Sequence, residues 1–267
     1  MEHTARAVNG RQVERPVVEP AVVKPEREPM IDARPWLAAD GVGRPSLSRC
    51  PLCLGEVVPV LGIPEFVRHR SALHDARCVL TTRTYQPDEL VVRKAYDVAV
   101  GFAHRMRFVR RWEFHYAAVQ QLWPSFTMKR FATVLACADV LNLWSYPNLR
   151  DEDLASVLLV LSGFMRVADS GGKGAPESVS WVRFWFDASV RDVGDLWTTR
   201  ASAPGLFRVE YREPESTPFP TGADVIGGLR VDMLQMPWTD RVAGPAPELH
   251  AADRAAFGRF VARSHRN

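Results

Sequence analysis

Three of the chain's four cysteines and two of its seven histidines fall within 29 residues, in the order Cys50-x2-Cys53-x15-His69-x4-His74-x3-Cys78. A Cys-x-x-Cys turn brings two thiolates to one edge of a metal tetrahedron, and a later histidine and cysteine complete the other. Cys50, Cys53 and Cys78 satisfy that requirement with either His69 or His74 as the fourth ligand. The expected ion is Zn²⁺. With four protein ligands the site is closed, so the zinc is expected to be structural, as in a zinc finger, rather than catalytic. Three thiolates and a neutral imidazole leave one net negative charge on such a centre. Arg49, Arg68, Arg70 and Arg77 lie nearby in sequence to offset it. The unused histidine is then a candidate partner for the ligating one. The competing readings of the same residues are a redox dithiol and a pair of buried thiols. A thioredoxin-like dithiol needs a βαβ context, which the flanking sequence does not offer. The fourth cysteine, Cys137, falls on the apolar face of a helical pattern and is expected in the core.

A second set of residues has the chemistry of phosphate contact. Residues 91–130 hold eight basic side chains against Asp97 and Glu113, a net charge of +6, twice that of the whole chain. Arg105, Arg107, Arg110, Arg111, Lys129 and Arg130 are the candidate nucleic-acid contacts, for DNA or RNA. Guanidinium forks bind phosphate oxygens bidentately, and helical spacing groups Arg107, Arg110 and Arg111 at i, i+3 and i+4. A solvated or partner-facing basic face is the alternative. Phe102, Met106, Val109 and Trp112 follow the same helical spacing and are expected to be core.

Catalytic signatures are weaker. Asp187 and the stretch Glu210-Tyr211-Arg212 outline a metal-dependent nuclease, whose carboxylates hold Mg²⁺. Arg212 stands where such a site uses lysine, and arginine stays protonated. The alternative has Asp187 opening a turn and Glu210 paired with an arginine. No serine or cysteine nucleophile stands beside a histidine in a recognisable pattern. Lys173 lies in a Gly-rich loop (DSGGKGAPES, 169–178) without the spacing that wraps a phosphate.

The segment Cys50-Pro51-Leu52-Cys53, then Glu65-Phe66-Val67-Arg68-His69-Arg70, then Cys78 resembles the N-terminal zinc-binding segment of competence CoiA-like proteins, over about 30 of the 267 residues. That family carries CPxC, a Phe-x-His element and a later cysteine, often ahead of a nuclease-type domain. The resemblance implies Cys50, Cys53, His69 and Cys78 as the ligands. It departs from the family at Glu65, where a histidine is usual, and in having no nuclease motif downstream. In layout alone, a zinc-bearing N-terminus ahead of a basic helical middle is similar to the small Cas8-like subunit of type IV CRISPR complexes.

These residues need elements to position them. Residues 1–45 hold six of the 20 prolines, seven acidic and seven basic residues, and read as a disordered arm. Residues 46–84 read as short strands and turns forming the zinc-binding module. Residues 85–169 read as a basic helical region: a helix opening at Pro87 with a break at Gly101 and an end near Trp123, a helix capped by Ser125 or Thr127, and one from Asp151 with a core face of Leu154, Val157, Leu158, Leu161 and Met165. Residues 170–267 read as strands over 179–187, 196–199, 206–212 and 225–236, closed by a helix over 252–262. The strand Trp181–Phe186 is apolar on both faces apart from Arg183, as a central or doubly covered strand would be. The class is α+β: an N-terminal zinc-binding module, a helical middle and a small C-terminal sheet.

Composition narrows the rest. Four cysteines are too few for a disulfide scaffold, and no apolar run reaches the ~20 residues that span a bilayer. The 34 basic side chains nearly balance 31 acidic ones, and only four of them are lysine. The sequence therefore points to a cytoplasmic, bacterial-type zinc protein, free of the membrane, that contacts nucleic acid as a non-catalytic component of a larger assembly with other protein subunits. The alternatives are a subunit of an RNA-guided defence complex, a nuclease-like enzyme, or a protein–protein adaptor.

Overall fold

A computed structural model describes residues 30–34, 47–84, 90–92, 97–169, 178–198, 203–231 and 238–264. It is an α+β arrangement in three layers, with the C-terminal sheet in the middle.

The first layer is a small antiparallel sheet made of β1 (Ile31–Asp32), β2 (Val57–Val60) and β3 (Ile63–His69), in the order β1-β3-β2, followed by the short helix α1 (Ala72–Arg77). Gly62, at φ +82°, makes the turn between β2 and β3. The presence of β1 corrects the reading of residues 1–45 as disordered throughout. Ile31 pairs with Val67, and Ile31 and Ala33 bury their side chains while Asp32 and Arg34 pair with each other beside them. This alternation is strand-like, but too short to stand out from its proline-rich surroundings.

The middle layer is the antiparallel sheet β4 (Met165–Asp169), β5 (Ser178–Phe186), β6 (Leu206–Arg212) and β7 (Val225–Val231), in that spatial order. Strand β5 is paired on both sides, as its composition demanded. Period-2 alternation divides its residues cleanly. Val182 and Phe184, with Leu206, face the helices, whereas Trp181 and Trp185, with Phe207, Val209 and Tyr211, face the N-terminal module. Arg183 lies on the module side, 3.8 Å from the Trp185 ring centre and 4.7 Å from that of Phe164.

The third layer contains α2 (Val98–Arg110), α3 (Trp112–Leu122), α4 (Met128–Val140), α5 (Leu154–Leu161), α6 (Trp238–Ala243) and α7 (Ala251–Ser264). The Asp97 carboxylate accepts the Val100 N–H to cap α2, and Thr127 caps α4 by accepting the Arg130 N–H. Residues 85–89, around Pro87, lie outside the described residues, but 90–92 are extended and Val91 forms a parallel bridge to Asp192. The helix thus starts at Val98. It also runs through Gly101 and breaks at Arg111; a Cβ on Gly101 would stand 3.2 Å from Ser145 Oγ, so the glycine serves close packing, not a break. Two further expectations are corrected. Residues 193–197 form a 3-10 turn capped by Asp192 and Asp195, where a strand was expected. Met165 opens β4, because α5 ends at Leu161 and Gly163 turns the chain at φ +64°.

The module is fastened to the middle sheet as well as packed on it. Cys50, Leu52, Val57, Val67, Cys78 and Leu80 share one apolar cluster with the five aromatic rings Phe164, Trp181, Trp185, Phe207 and Tyr211. The Ala188 N–H donates to Leu52 O at 2.7 Å, and the Gly222 N–H donates to Thr82 O at 2.6 Å. No helix among the described residues is long and apolar enough to cross a membrane.

Candidate metal centre

The first pair of cysteines sits on a tight knuckle. Cys50 O accepts the Leu54 N–H at 3.0 Å, the Cys50 N–H donates to Gly55 O at 2.8 Å, and Leu54 takes a left-handed φ of 59° to close the turn. The Gly55 N–H then points back at Cys53 Sγ, 3.4 Å away. Strand β3 ends at His69, opposite Val57, which carries the imidazole to the knuckle. Cys78 follows α1 directly, its N–H donating to His74 O.

Cys50, Cys53, His69 and Cys78 thereby bring one donor atom each to within 4.8 Å of one another. They can hold a metal ion. Cys50 and Cys78 Sγ are 3.7 Å apart, and Cys53 Sγ is 3.1 Å from His69 Nε2. Four-coordinate zinc with Zn–S bonds of about 2.3 Å has sulfur–sulfur edges of about 3.8 Å, so the first distance is that of a tetrahedral edge. Of the two histidines, the structure brings His69 to the cluster. His74 is exposed on α1, its ring centre 6.3 Å from that of His69 and its atoms against Gly55, where a Cβ would stand only 2.6 Å away.

Two residues missed in the sequence complete the site. Asp75 Oδ1 lies 3.3 Å from His69 Nδ1, and the Thr81 hydroxyl donates to Asp75 O at 2.7 Å while standing 3.5 Å from the same imidazole nitrogen. An acid next to His74, one turn before Cys78, was the available signal. A carboxylate on Nδ1 turns Nε2 and its lone pair toward the cysteines, the usual arrangement behind a metal-bound histidine.

The electrostatics of the bare donors also call for a cation. Hydrogen bonds from Cys50 and Cys78 hold the Cys53 thiol far below its ordinary range, against the opposing effect of burial. Cys78 is driven well above its ordinary value by the same neighbours, Cys50 first and Cys53 second, with burial adding to the effect. Burial pulls His69 down, but the Cys50 and Cys53 sulfurs outweigh it and raise the imidazole to about 10. A divalent cation among these donors would offset the charge of the thiolates that bind it.

The basic segment is placed differently from its expectation. Arg105 pairs with Asp139 at 2.8 Å and lies among the rings of Phe108, Trp144 and Phe260. Arg107 and Arg111 both reach Asp151, at 3.0 and 3.3 Å. These three arginines tie α2 and the start of α3 to the rest of the helical layer. Arg110 and Lys129 are exposed, and Arg130 is half-buried. Arg93 and Lys94 lie outside the described residues, as does residue 173 with its Gly-rich loop. Cys137 is exposed, contrary to expectation. Helix α4 buries Phe131, Val134, Leu135 and Ala138, and one residue's rotation, about 100°, takes position 137 off that face.

The nuclease outline is not assembled. Asp187 accepts the N–H groups of Ser189 and Gly205, and Glu210 pairs with Arg208. Glu210 is opposite Val182 in the sheet, five residues from Asp187, which sets the two backbone positions roughly 16 Å apart along the strand. Arg212 binds Ala223 O. Comparison with known proteins finds no matching family model, no matching curated protein and no matching solved structure.

Proposed function

We propose that Cys50, Cys53, His69 and Cys78 hold a structural zinc ion, and that the chain is a non-catalytic, zinc-braced component of a larger assembly that contacts nucleic acid. The observation behind the metal is the donor set: three sulfurs and an imidazole within 4.8 Å of one another, the Cys50–Cys78 pair at the spacing of a tetrahedral edge, with a carboxylate behind the imidazole. Thiolates and imidazole select zinc over the hard cations Mg²⁺ and Ca²⁺. The CoiA-like resemblance implies the same four ligands. With every position taken by protein, the ion ties the knuckle, the end of β3 and the residue after α1 into one unit. That unit is the surface on which β5 and β6 rest.

Purified protein is expected to carry about one zinc per chain, and Cys53→Ser to lose it. A metal-free wild-type protein with its tertiary structure intact removes the reading. For nucleic acid, the support is Arg110 and Lys129, both exposed and in no ion pair among the described residues, with Arg111, next to Arg110 in sequence, 43% exposed. Affinity for a DNA or RNA strand is expected to fall steeply with salt, and to drop further in the double variant Arg110→Glu, Lys129→Glu. Unchanged affinity in that variant places the contact elsewhere.

A protein–protein adaptor has its own support. Val98, Phe102 and Val140 are 64%, 67% and 81% exposed; Val98 and Phe102 share the helical face of Arg105 by their spacing, and Val140 follows Asp139, with which Arg105 joins α2 to α4. Phe102→Ser separates the readings: it weakens association with a protein subunit and leaves salt-dependent nucleic-acid affinity alone.

A further inference from the structure

Resting on the zinc reading, we propose that Cys53 is an oxidation site through which a hydroperoxide dismantles the centre. The ligands are unequally protected. Cys50 and Cys78 are sealed in the apolar cluster at 0% and 1% exposure, and the His69 side chain is fully covered, whereas Cys53 is only half-buried. An oxidant in solution therefore meets one sulfur first.

The partner for the next step is already in place. Cys50 and Cys53 lie on one hydrogen-bonded turn, a geometry that holds Cα atoms three residues apart within about 7 Å, close to the span of a disulfide. Their sulfurs stand within the 4.8 Å that encloses the whole donor set.

The chemistry balances with the peroxide as the oxidant. The Cys53 thiolate attacks the O–O bond, forming Cys53–SOH and releasing an alkoxide or hydroxide that takes up a proton. The Cys50 thiolate then attacks the Cys53 sulfur; the S–S bond forms as the S–O bond breaks, and hydroxide leaves to become water. Two sulfurs have lost two electrons and the peroxide has gained two. His69 and Cys78 alone do not retain the zinc, which leaves as Zn²⁺. A dithiol reductant reverses the disulfide and restores the site.

The same turn carries Leu52, whose carbonyl accepts from Ala188 and whose side chain belongs to the cluster beneath β5 and β6. Oxidation at Cys53 thus loosens the first layer from the second.

The test starts from zinc-loaded full-length protein in a Cys137→Ser background, because Cys137 is an exposed thiol outside the cluster. Hydrogen peroxide is added, zinc release is followed with a chromogenic chelator, and the disulfide is located by peptide mass spectrometry. The expected result is release of the bound zinc with a Cys50–Cys53 disulfide, reversed by dithiothreitol and added zinc. Trapping of the sulfenic acid with dimedone during the same treatment is the companion measurement: the adduct is expected on Cys53, the half-buried sulfur, ahead of Cys50 and Cys78. A sulfenic acid trapped first on Cys50 or Cys78, or zinc loss with a Cys50–Cys78 disulfide, overturns Cys53 as the site of attack. Zinc retained by the parent protein overturns the proposal while leaving the structural zinc intact. Absence of metal before peroxide is added overturns both.

Discussion

Asp75 Oδ1 stands 3.3 Å from His69 Nδ1, on the far side of the ring from the Cys53 sulfur, which is 3.1 Å from Nε2. The imidazole is held at both nitrogens. With a metal bound, the proton belongs on Nδ1, toward the carboxylate, and the Nε2 lone pair is the donor. Asp75→Ala is expected to weaken metal affinity by 10- to 100-fold, the usual cost of losing such a partner, without abolishing binding. Competition with a chelator of known affinity measures this. An affinity equal to wild type would show that the carboxylate does not orient His69.

Part of this arrangement was legible in the sequence because it is local. Cys50, Cys53 and Cys78 announce themselves by spacing, and β5 announces a doubly covered strand by its run of aromatics. What was hidden depends on partners distant in sequence. Asp139 and Asp151 neutralise Arg105, Arg107 and Arg111 from outside the window in which the positive charge was counted. A charge sum over 40 residues cannot see an acid that the fold brings in. Ile31 and Ala33 were lost in a proline-rich composition for the same reason: the strand exists because β3 is there to pair with it.

Gly222 tests how firmly the module is fastened to the sheet. A Cβ at this position would lie 2.6 Å from the backbone of Thr81 and Thr82, and backbone cannot swing aside as a side-chain tip does. Gly222→Ala is expected to destabilise the protein by about 1–3 kcal/mol in urea denaturation, as overpacking does. Gly227→Ala, with nothing within 4 Å of its added Cβ, is the matched control and should stay within about 0.5 kcal/mol of wild type. Two equal variants would mean that the 2.6 Å bond from Gly222 to Thr82 does not hold the layers together.

His115 predicts an acid-sensitive fold. Its ring is fully buried between Phe108 and Trp238, at 4.7 and 4.3 Å, and neither nitrogen has a hydrogen-bond partner among the described residues. Burial lowers its pKa to about 3; Asp151 opposes the shift, and Arg111 and Arg107 add to it. The unfolded chain takes up a proton near pH 6.5 while the folded chain does not until about pH 3, so stability is present above 6.5 and is lost as pH falls through that window. At pH 5 the loss from this one group is about 2 kcal/mol. Acid also weakens any metal held by the Cys50–Cys53–His69–Cys78 cluster, so the measurement is the difference between wild type and His115→Phe in denaturation at pH 7 and pH 5. The variant should lose about 2 kcal/mol less than wild type over that interval. Parallel losses would place the acid sensitivity elsewhere.

Asp151 separates arginines that hold the fold from arginines able to meet a partner. Its carboxylate is 8% exposed and accepts from Arg107 at one oxygen and Arg111 at the other, while the guanidinium groups remain 34% and 43% exposed. Solvent screens the pair from the cation side, so Asp151→Asn is expected to cost about 1–3 kcal/mol, less than a fully buried ion pair would lose. Arg110, between them in sequence but exposed and in no ion pair among the described residues, should tolerate reversal to glutamate within about 0.5 kcal/mol. If phosphate contact is a function of this surface, Arg110→Glu lowers nucleic-acid affinity at unchanged stability, whereas Arg107→Glu lowers stability first. A loss of affinity in Arg107→Glu at wild-type stability would mean that the Arg107–Asp151 pair opens to receive the phosphate instead of bracing the helices.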